Sequence, residues 1–409
     1  MANLTVINAR VLTLAGGEGP RRGTALGELG VIERGFVRIE AQRIAAVGPG
    51  EPDAVGEVID AQGCVVMPGF VDCHTHACWA GDRFDEFQMT LAGRSYPQIL
   101  QAGGGIMSTV RAVRAASPDE LVDGLLGRLG RMAALGTTSV EVKSGYGLTT
   151  IDELKMLQAI RTASNLTHLH VVSSFLGAHA IDPENPAFID QTINETLPAV
   201  VEVFPGIVCD AYCERGAWSL DDTRRLFEAA AGLGCPLRVH ADQFNSLGMT
   251  PLAVEMGAVS VDHLEATTPP DLARLAASST IGVALPAAGF QLDDRYAPAR
   301  EFVDVGGALA LATNYNPGSA PTPSMAFVVA LAARKLGLSP AQAIVAGTVN
   351  AACVLGLQGE LGSIEPGKQA DLQLMDFADE RELGYEFATP GPRLVLSAGQ
   401  VVHTRTPFP

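Results

Sequence analysis

The chain has 409 residues, of which 47% are hydrophobic and 18% charged, so it can bury a large core and is not expected to be disordered. Its 45 acidic residues outnumber 28 basic ones, and the formal net charge of -17 argues against nucleic acid or an anionic membrane as a partner. A small anionic substrate stays compatible with this charge, because a few local cations outweigh the global field at short range.

The N-terminus and the cysteines predict a cytoplasmic protein. The sequence begins MANLTVINARVLTL, without the basic stretch and following apolar stretch of a signal peptide. No run approaches the roughly 18 apolar residues of a membrane span. The seven cysteines are scattered and do not suggest a disulfide framework, so we expect buried thiols in a reducing compartment.

Both ends of the chain carry short strand patterns. Residues 1–66 alternate β-branched runs with glycine-rich turns, as in residues 4–14 and 31–40, and this is typical of antiparallel strands. Residues 364–409 return to the same pattern at positions 371–375. Neither segment is long enough for a sheet domain alone, so together they predict one small β-sandwich domain.

Residues 67–363 alternate apolar strand-like runs with helix-length segments, which predicts a parallel sheet covered by helices. The strand candidates are residues 65–73, 138–143, 170–176, 207–212, 237–240, 259–263, 281–284 and 308–313. Eight such strands separated by helices predict an α/β fold with a closed (β/α)8 barrel.

Histidines gather where such a barrel has its active site, at the C-terminal ends of the strands. Five of the eight histidines end or follow a predicted strand, namely His74, His76, His179, His240 and His263. His74 and His76 are two apart, so their imidazoles point to the same side and suit a divalent metal. Without other histidines, His74 and His76 would be interpreted as polar loop residues. The presence of His240 and His263 on later strands favours a metal site. Asn314, directly after the last strand, completes the ring.

The other three histidines serve as an internal comparison. His168 and His170 have the same spacing as His74 and His76 but precede the third strand, at the opposite end of the barrel. We interpret them, and His403 in the C-terminal sheet, as structural. A catalytic zinc usually has three protein ligands and a water whose pKa falls to about 7, so hydrolysis is the expected reaction class.

Longer motifs resemble a known family. The runs PGFVDCHTHA, RVHADQ, VDHLE and GELGSIEPGKQADLQLMD are similar to the amidohydrolase superfamily. Within it, AGDRFDEF, AGGGIMSTVRAVR, EVKSGYGL, FLGAHA, HADQFNSLGM and NPGS resemble the imidazolonepropionase family, in the same order. The resemblance runs from about residue 4 to about residue 405, and EVKSGYGL and AGGGI are its specific motifs.

This resemblance implies the metal-dependent ring opening of 4-imidazolone-5-propanoate to N-formimidoyl-L-glutamate in histidine degradation. It implies zinc or iron held by His74, His76, His240 and Asn314. We expect one ion per chain, because the fourth strand, IVCDAY, has no lysine that could be carboxylated as a bridging ligand. Substrate contacts are implied at Arg83, Tyr96, Tyr146, His179, Gln243, Asn316, Gly318 and Ser319.

The chemistry suggests a role for several of these residues. The guanidinium of Arg83 suits the propanoate tail, because its planar fork pairs with a carboxylate. His263 is the predicted proton shuttle, since it lies at the site and is not needed for ligation. His179 is expected to polarise the ring carbonyl and stabilise the oxyanion. Gln243 completes the predicted catalytic set.

Two positions depart from the family pattern. Asn314 stands where the family usually has Asp, and Gln243 stands where a Glu is found. An amide oxygen ligates weakly and accepts no proton near neutral pH. We therefore expect a lower metal affinity and a larger share of proton transfer for His263, assisted by Glu265.

Two alternatives stay open at this stage. Another cyclic amide or amidine hydrolase or deaminase of the superfamily would keep the barrel and histidines, although nucleobase substrates carry no acidic tail for Arg83. A non-catalytic barrel scaffold is favoured only by Asn314. A homodimer is the expectation for a soluble barrel enzyme.

Overall fold

The computed structural model describes residues 3–53, 55–94, 96–387 and 389–405, and of Tyr96, Pro97 and Leu100 it describes the backbone only. Its strands are β1 Leu4–Leu12, β2 Val31–Glu40, β3 Arg43–Pro49, β4 Glu57–Asp60, β5 Val65–Pro68, β6 Phe70–Asp72, β7 Thr137–Lys143, β8 His170–Ala178, β9 Val208–Cys213, β10 Leu237–Ala241, β11 Ser260–His263, β12 Ile281–Ala284, β13 Leu309–Leu311, β14 Leu372–Leu374, β15 Leu394–Ser397 and β16 Gln400–Thr404. They form two sheets of eight strands each.

Helices follow most of the central strands. They are α1 Phe84–Leu91, α2 Tyr96–Gln101, α3 Ile106–Ala115, α4 Pro118–Ala134, α5 Thr150–Leu166, α6 Phe188–Gln191, α7 Leu197–Val203, α8 Leu220–Gly232, α9 Met249–Glu255, α10 Pro269–Ala276, α11 Pro286–Leu292, α12 Ala299–Asp304, α13 Met325–Lys335, α14 Pro340–Ala346, α15 Val349–Val354 and α16 Glu382–Tyr385. A 3-10 turn spans Gly23–Gly27 and a π-helical turn spans Thr192–Thr196. None of the described helices is long and apolar enough to cross a membrane.

Side-chain caps define where several helices begin. The N-cap hydroxyl accepts a backbone hydrogen bond in α4, α5, α8, α10, α13 and α14. Ser117 and Ser339 form complete capping boxes with Glu120 and Gln342. Such caps satisfy amide groups that have no partner inside the helix, so they set the length of the preceding loop.

Strands β6 to β13 form the predicted parallel barrel, with each strand pairing with the next in chain order. The barrel is nearly closed, and the Asp72 side chain joins its first and last strands. Asp72 Oδ1 accepts from the Thr313 backbone N–H at 3.0 Å, and Oδ2 accepts from the Thr313 hydroxyl at 2.5 Å. Burial raises the pKa of Asp72 to about 7.

Seven of the eight barrel strands begin and end within a few residues of their predicted positions, and the first prediction was wrong. Residues 65–73 divide into β5, in the other sheet, and β6, in the barrel. The break falls at Gly69, where an added Cβ would lie 2.3 Å from the Thr138 side chain. Only glycine lets the chain pass so close to β7, and this steric constraint leaves no mark in the hydrophobic pattern.

The two chain ends share the second sheet, as predicted. Its order is β16-β15-β14-β5-β1-β2-β3, with β4 also paired to β1. The predicted strands were antiparallel, but β4 and β5 pair with β1 in parallel. The domain limits at residues 66/67 and 363/364 stay a prediction.

Removing the Asp72 carboxylate should weaken the closure of the barrel. Asp72→Ala leaves the buried amide and hydroxyl of Thr313 without their acceptor, so we expect the free energy of unfolding of the metal-free protein to fall by about 2–3 kcal/mol. Urea unfolding measures this change. Thr313→Val is the control, since it loses only the hydroxyl bond and should cost less. An unchanged midpoint for Asp72→Ala would show that backbone bonds alone close the barrel.

Candidate active site

The barrel brings the five predicted histidines together at the C-terminal ends of its strands. His74 and His76 follow β6, His179 follows β8, His240 lies in β10, and His263 ends β11. His170, by contrast, begins β8 and so lies at the opposite end of the barrel, as predicted. His403 lies in β16 of the terminal sheet, also as predicted.

Three of these histidines form a buried group of suitable size for a metal ion. One ligand nitrogen from each of His74, His76 and His240 lies within 4.8 Å of the others. The Nε2 atoms of His76 and His240 are 3.2 Å apart. Among the described residues, no other cluster of three or more His, Cys, Asp or Glu meets this geometry.

Two carboxylates set the protonation of the cluster. Asp262 Oδ2 lies 2.5 Å from Nδ1 of His74, and Asp210 Oδ1 lies 3.0 Å from Nδ1 of His240. Each carboxylate accepts the Nδ1 proton, so each Nε2 keeps its lone pair. Nε2 of His74 is buried and has no hydrogen-bond partner. Converging, unprotonated nitrogens of this kind fit a divalent cation.

The local electrostatics keep these rings neutral. Burial, with smaller contributions from Lys143 and the neighbouring rings, holds the pKa of His74 well below its usual range. Burial and the nearby His179 and His240 do the same for the pKa of His76. Neutral imidazole is the form that ligates a metal, so the site is ready for one at neutral pH.

Asn314 lies beside His74 and carries a buried amide oxygen. Its backbone N–H donates to the His74 carbonyl at 3.0 Å, and its φ is 56°, in the left-handed region that Asn tolerates. Its Oδ1 is buried without a hydrogen-bond partner. This geometry is compatible with the predicted fourth ligand, and ligation by Asn314 stays a prediction.

His263 lies beside the metal-binding histidines but outside their group. Its ring centroid is 5.6 Å from that of His240 and 6.1 Å from that of His74. Nδ1 lies 3.3 Å from Oε1 of Glu265, the predicted assistant. The φ of His263 is 91°, a conformation that costs a non-glycine residue free energy and that is concentrated at functional sites.

His179 and Tyr146 form one wall of the site. The His179 ring stacks on His76 at 4.7 Å between centroids, and Tyr146 lies 5.2 Å from His179. Burial lowers the pKa of His179 to about 3, so the ring is neutral. Its Nδ1 donates to the Gly145 carbonyl at 3.0 Å, which leaves Nε2 as an acceptor. Donation of a hydrogen bond from Nε2 to an oxyanion, as predicted, would require a proton on Nε2, which the neutral ring does not carry in this arrangement.

Arg83 and the NPGS loop meet at the rim of the site. Arg83 forms an ion pair with Glu86 and lies 3.5 Å from the position that a Cβ on Gly318 would occupy. The Asn316 amide is engaged within the loop, where its Oδ1 accepts from the N–H groups of Gly318 and Ser319. Asn316 therefore shapes the loop, and direct substrate contact by these residues stays a prediction.

The two remaining site predictions have different outcomes. Oε1 of Gln243 accepts from the hydroxyl of Tyr212 at 2.9 Å, so Tyr212 orients this amide. Tyr212 was missed from the sequence. Tyr96 begins α2, and its side chain lies outside the described part of the chain.

Sequence reasoning also missed the charged residues behind the histidines. They are Glu141, Lys143, Asp210, Arg238 and Asp262, each at most 1% exposed. A signal existed, because Glu141 and Lys143 are two apart in β7, and Arg238 precedes His240 by two in β10. Residues two apart share one face of a strand, and charges on the inner face of a barrel need partners.

The amidohydrolase family model matches residues 65–404. An imidazolonepropionase of Herpetosiphon aurantiacus is 46% identical over 95% of both chains, and one of Symbiobacterium thermophilum is 42% identical over 98% of this chain and 97% of its own. The chain belongs to the imidazolonepropionase family of amidohydrolases. This membership accounts for the motifs EVKSGYGL and NPGS.

Solved structures with low identity share the fold. A 5-methylcytosine deaminase from Klebsiella pneumoniae has a TM-score of 0.75 at 17% identity, covering 99% of this chain and 98% of its own. An adenosine deaminase from Xanthomonas campestris with bound zinc has a TM-score of 0.69 at 18% identity, covering 98% and 92%. At such identities the likeness concerns the fold alone.

Placing a carboxylate at position 314 tests the fourth ligand. Asn314→Asp should raise the affinity for Zn²⁺ about tenfold or more, because an anionic ligand compensates the cation where an amide does not. Competition with a chromophoric chelator measures the affinity. Gln243→Glu adds the same charge at another amide of the site, keeps the acceptor for Tyr212, and should have a smaller effect. An equal gain in both variants would show that charge, and not ligation, is responsible.

Proposed function

We propose that the protein hydrolyses 4-imidazolone-5-propanoate to N-formimidoyl-L-glutamate. The observation that carries the proposal is the buried group of His74, His76 and His240, in which one ligand nitrogen of each lies within 4.8 Å of the others at the end of the barrel. Relatives named imidazolonepropionase match almost the whole chain, so the substrate assignment follows the family. The nucleobase deaminases share only the fold.

The proposal includes one zinc or iron ion per chain, held by His74, His76, His240 and Asn314. When bound, the ion would lower the pKa of a water towards about 7 and polarise the ring carbonyl. The lysine nearest the histidines, Lys143, lies on β7 and is paired with Glu141 and Asp210. It is therefore not free to become a bridging ligand, which supports a single ion.

Proton transfer falls to His263 in this proposal. Glu265 accepts from Nδ1 of His263, so Nε2 can take the proton from the attacking water. The same nitrogen then returns the proton to the ring nitrogen as the amide C–N bond breaks. Gln243 cannot take this role, because an amide does not accept a proton near neutral pH.

Arg83 provides the cation for the propanoate tail. It lies next to the NPGS loop, so the tail would be held at the rim while the ring carbonyl reaches the histidines. Glu86 already pairs with Arg83, so the substrate carboxylate must share or displace that contact. We also propose a cytoplasmic homodimer. The free state of all seven cysteines supports a reducing compartment, and the dimer rests on the general frequency of such assemblies.

The deciding experiment is a turnover assay on fresh 4-imidazolone-5-propanoate, with and without chelator, that quantifies formimidoylglutamate and ammonia. Chelator-sensitive formation of formimidoylglutamate without ammonia is expected. Release of ammonia would indicate a deaminase, and absence of product from a metal-loaded, folded protein would favour a non-catalytic scaffold.

Replacing His263 should slow the chemical step without removing the metal. His263→Asn, which tolerates the positive φ, should lower kcat by about 10²–10⁴-fold, because the proton shuttle is lost. Metal content should stay near that of the wild type. His170→Asn, at the other end of the barrel, is the control. Near wild-type turnover of His263→Asn would assign proton transfer to another group.

The pairing of Arg83 with Glu86 predicts the effect of charge on substrate affinity. Glu86→Gln should lower KM several-fold, because it removes the carboxylate that competes for Arg83, and Arg83→Met should raise KM. Asp85→Asn removes an exposed carboxylate from the same turn and is the matched control. If Glu86→Gln and Asp85→Asn change KM equally, only the general field matters and Glu86 does not compete for Arg83; an unchanged KM in Arg83→Met would show that Arg83 does not bind the tail.

A further inference from the structure

Behind the metal-binding histidines lies a buried network of charged side chains. Its members are Glu141 and Lys143 on β7, Asp210 on β9, Arg238 on β10 and Asp262 on β11. All five are buried, so water does not screen their interactions. We call these five residues the charge cluster.

Glu141 is the hub of the charge cluster. Its Oε1 accepts from Lys143 Nζ at 2.6 Å and from Arg238 Nη1 at 2.9 Å. The hydroxyl of Ser174 donates to the same oxygen at 2.6 Å. The Thr75 hydroxyl, which lies between the two histidines of the H-x-H motif, donates to the Glu141 carbonyl at 2.6 Å.

Each cation of the cluster connects the hub to one aspartate. Lys143 Nζ donates to Asp210 Oδ2 at 2.7 Å, and Arg238 Nη2 donates to Asp262 Oδ2 at 2.6 Å.

The aspartates in turn contact the metal-binding rings. Asp210 accepts a hydrogen bond from Nδ1 of His240, and Asp262 accepts one from Nδ1 of His74. Two chains of contacts therefore run from Glu141 to the metal site, one through Lys143 and one through Arg238. Outer groups of this kind fix the orientation and tautomer of ligating histidines.

The charge of the cluster matters because the four proposed ligands are neutral. Three carboxylates and two cations leave the charge cluster with one net negative charge. Glu265 and Asp72 are further carboxylates nearby, but the first pairs with His263 and the second accepts from Thr313. Because Asn314 is an amide and not an aspartate, the negative charge nearest to a divalent cation would come from carboxylates that lie behind the ligands.

We propose that Glu141 is a positioning residue for the metal. Glu141 holds both Asp–His pairs in position, and it supplies the net negative charge that the neutral ligands lack. This proposal rests on the metal-dependent function proposed above. A merely structural role for Glu141 would affect folding stability, whereas the proposed role sets the affinity for the cation.

The test measures Zn²⁺ binding to the full chain without substrate, by competition with a chromophoric chelator. Glu141→Gln keeps the size and the acceptor oxygen but loses the charge, and should weaken Zn²⁺ binding about 10–100-fold. The double variant Glu141→Gln/Lys143→Met restores the net charge of minus one and should bind Zn²⁺ more tightly than Glu141→Gln alone. A structural hub would instead make the double variant as weak or weaker.

Controls separate charge from stability. Asp371→Asn removes a buried carboxylate that accepts from the Ala398 amide in the terminal sheet, and should leave Zn²⁺ binding unchanged. Urea unfolding of the metal-free variants records stability in parallel. If Glu141→Gln does not fold, Arg238→Lys keeps the charge and breaks the fork between Glu141 and Asp262, and should weaken Zn²⁺ binding several-fold.

Wild-type Zn²⁺ affinity in Glu141→Gln, or in Arg238→Lys where that variant is used, would overturn the proposal. A double variant no tighter than the single one would also overturn it, because the charge would then play no part. If the wild-type protein binds Zn²⁺ tightly but does not hydrolyse the substrate, that result would contradict the proposed function and leave this inference intact.

Discussion

The rest of the site depends on two hydrogen bonds, which His74 donates to Asp262 and His240 donates to Asp210. A histidine ligates only through an unprotonated nitrogen, and in a buried site the ring has no water to decide which nitrogen that is. The two carboxylates make the choice at 2.5 and 3.0 Å. Once it is made, Nε2 is the unprotonated nitrogen of each ring.

The barrel explains why these pairs form at all. His240 lies in β10, which has β9 on one side and β11 on the other. Asp210 lies in β9, and Asp262 lies in β11, one residue before His263. The strand register places Asp262 directly opposite His240, and Asp210 opposite Arg238, two residues before His240. Alternate residues of each strand face the barrel interior, so these carboxylates, the imidazoles and the cations of the charge cluster meet there.

Two amides lie close to the proposed reaction centre, and the structure shows where the acidic groups lie. Gln243 is held by Tyr212 and Asn314 lies beside His74, so neither brings negative charge to the site. Glu265 stays next to His263, and Asp210 and Asp262 stay behind the ligands. In the proposed mechanism, proton transfer and charge compensation therefore depend on different carboxylates.

The sequence by itself determined the barrel, the shared terminal sheet and the five strand-end histidines, because strand periodicity and motif spacing are local properties. It did not show the break at Gly69, which depends on the distance to Thr138 in another strand. Nor did it reveal that Glu141 reaches His74 and His240 through two cations, because those contacts join residues up to 188 positions apart. Which buried charges meet depends on strand order and register, and only the tertiary structure decides these.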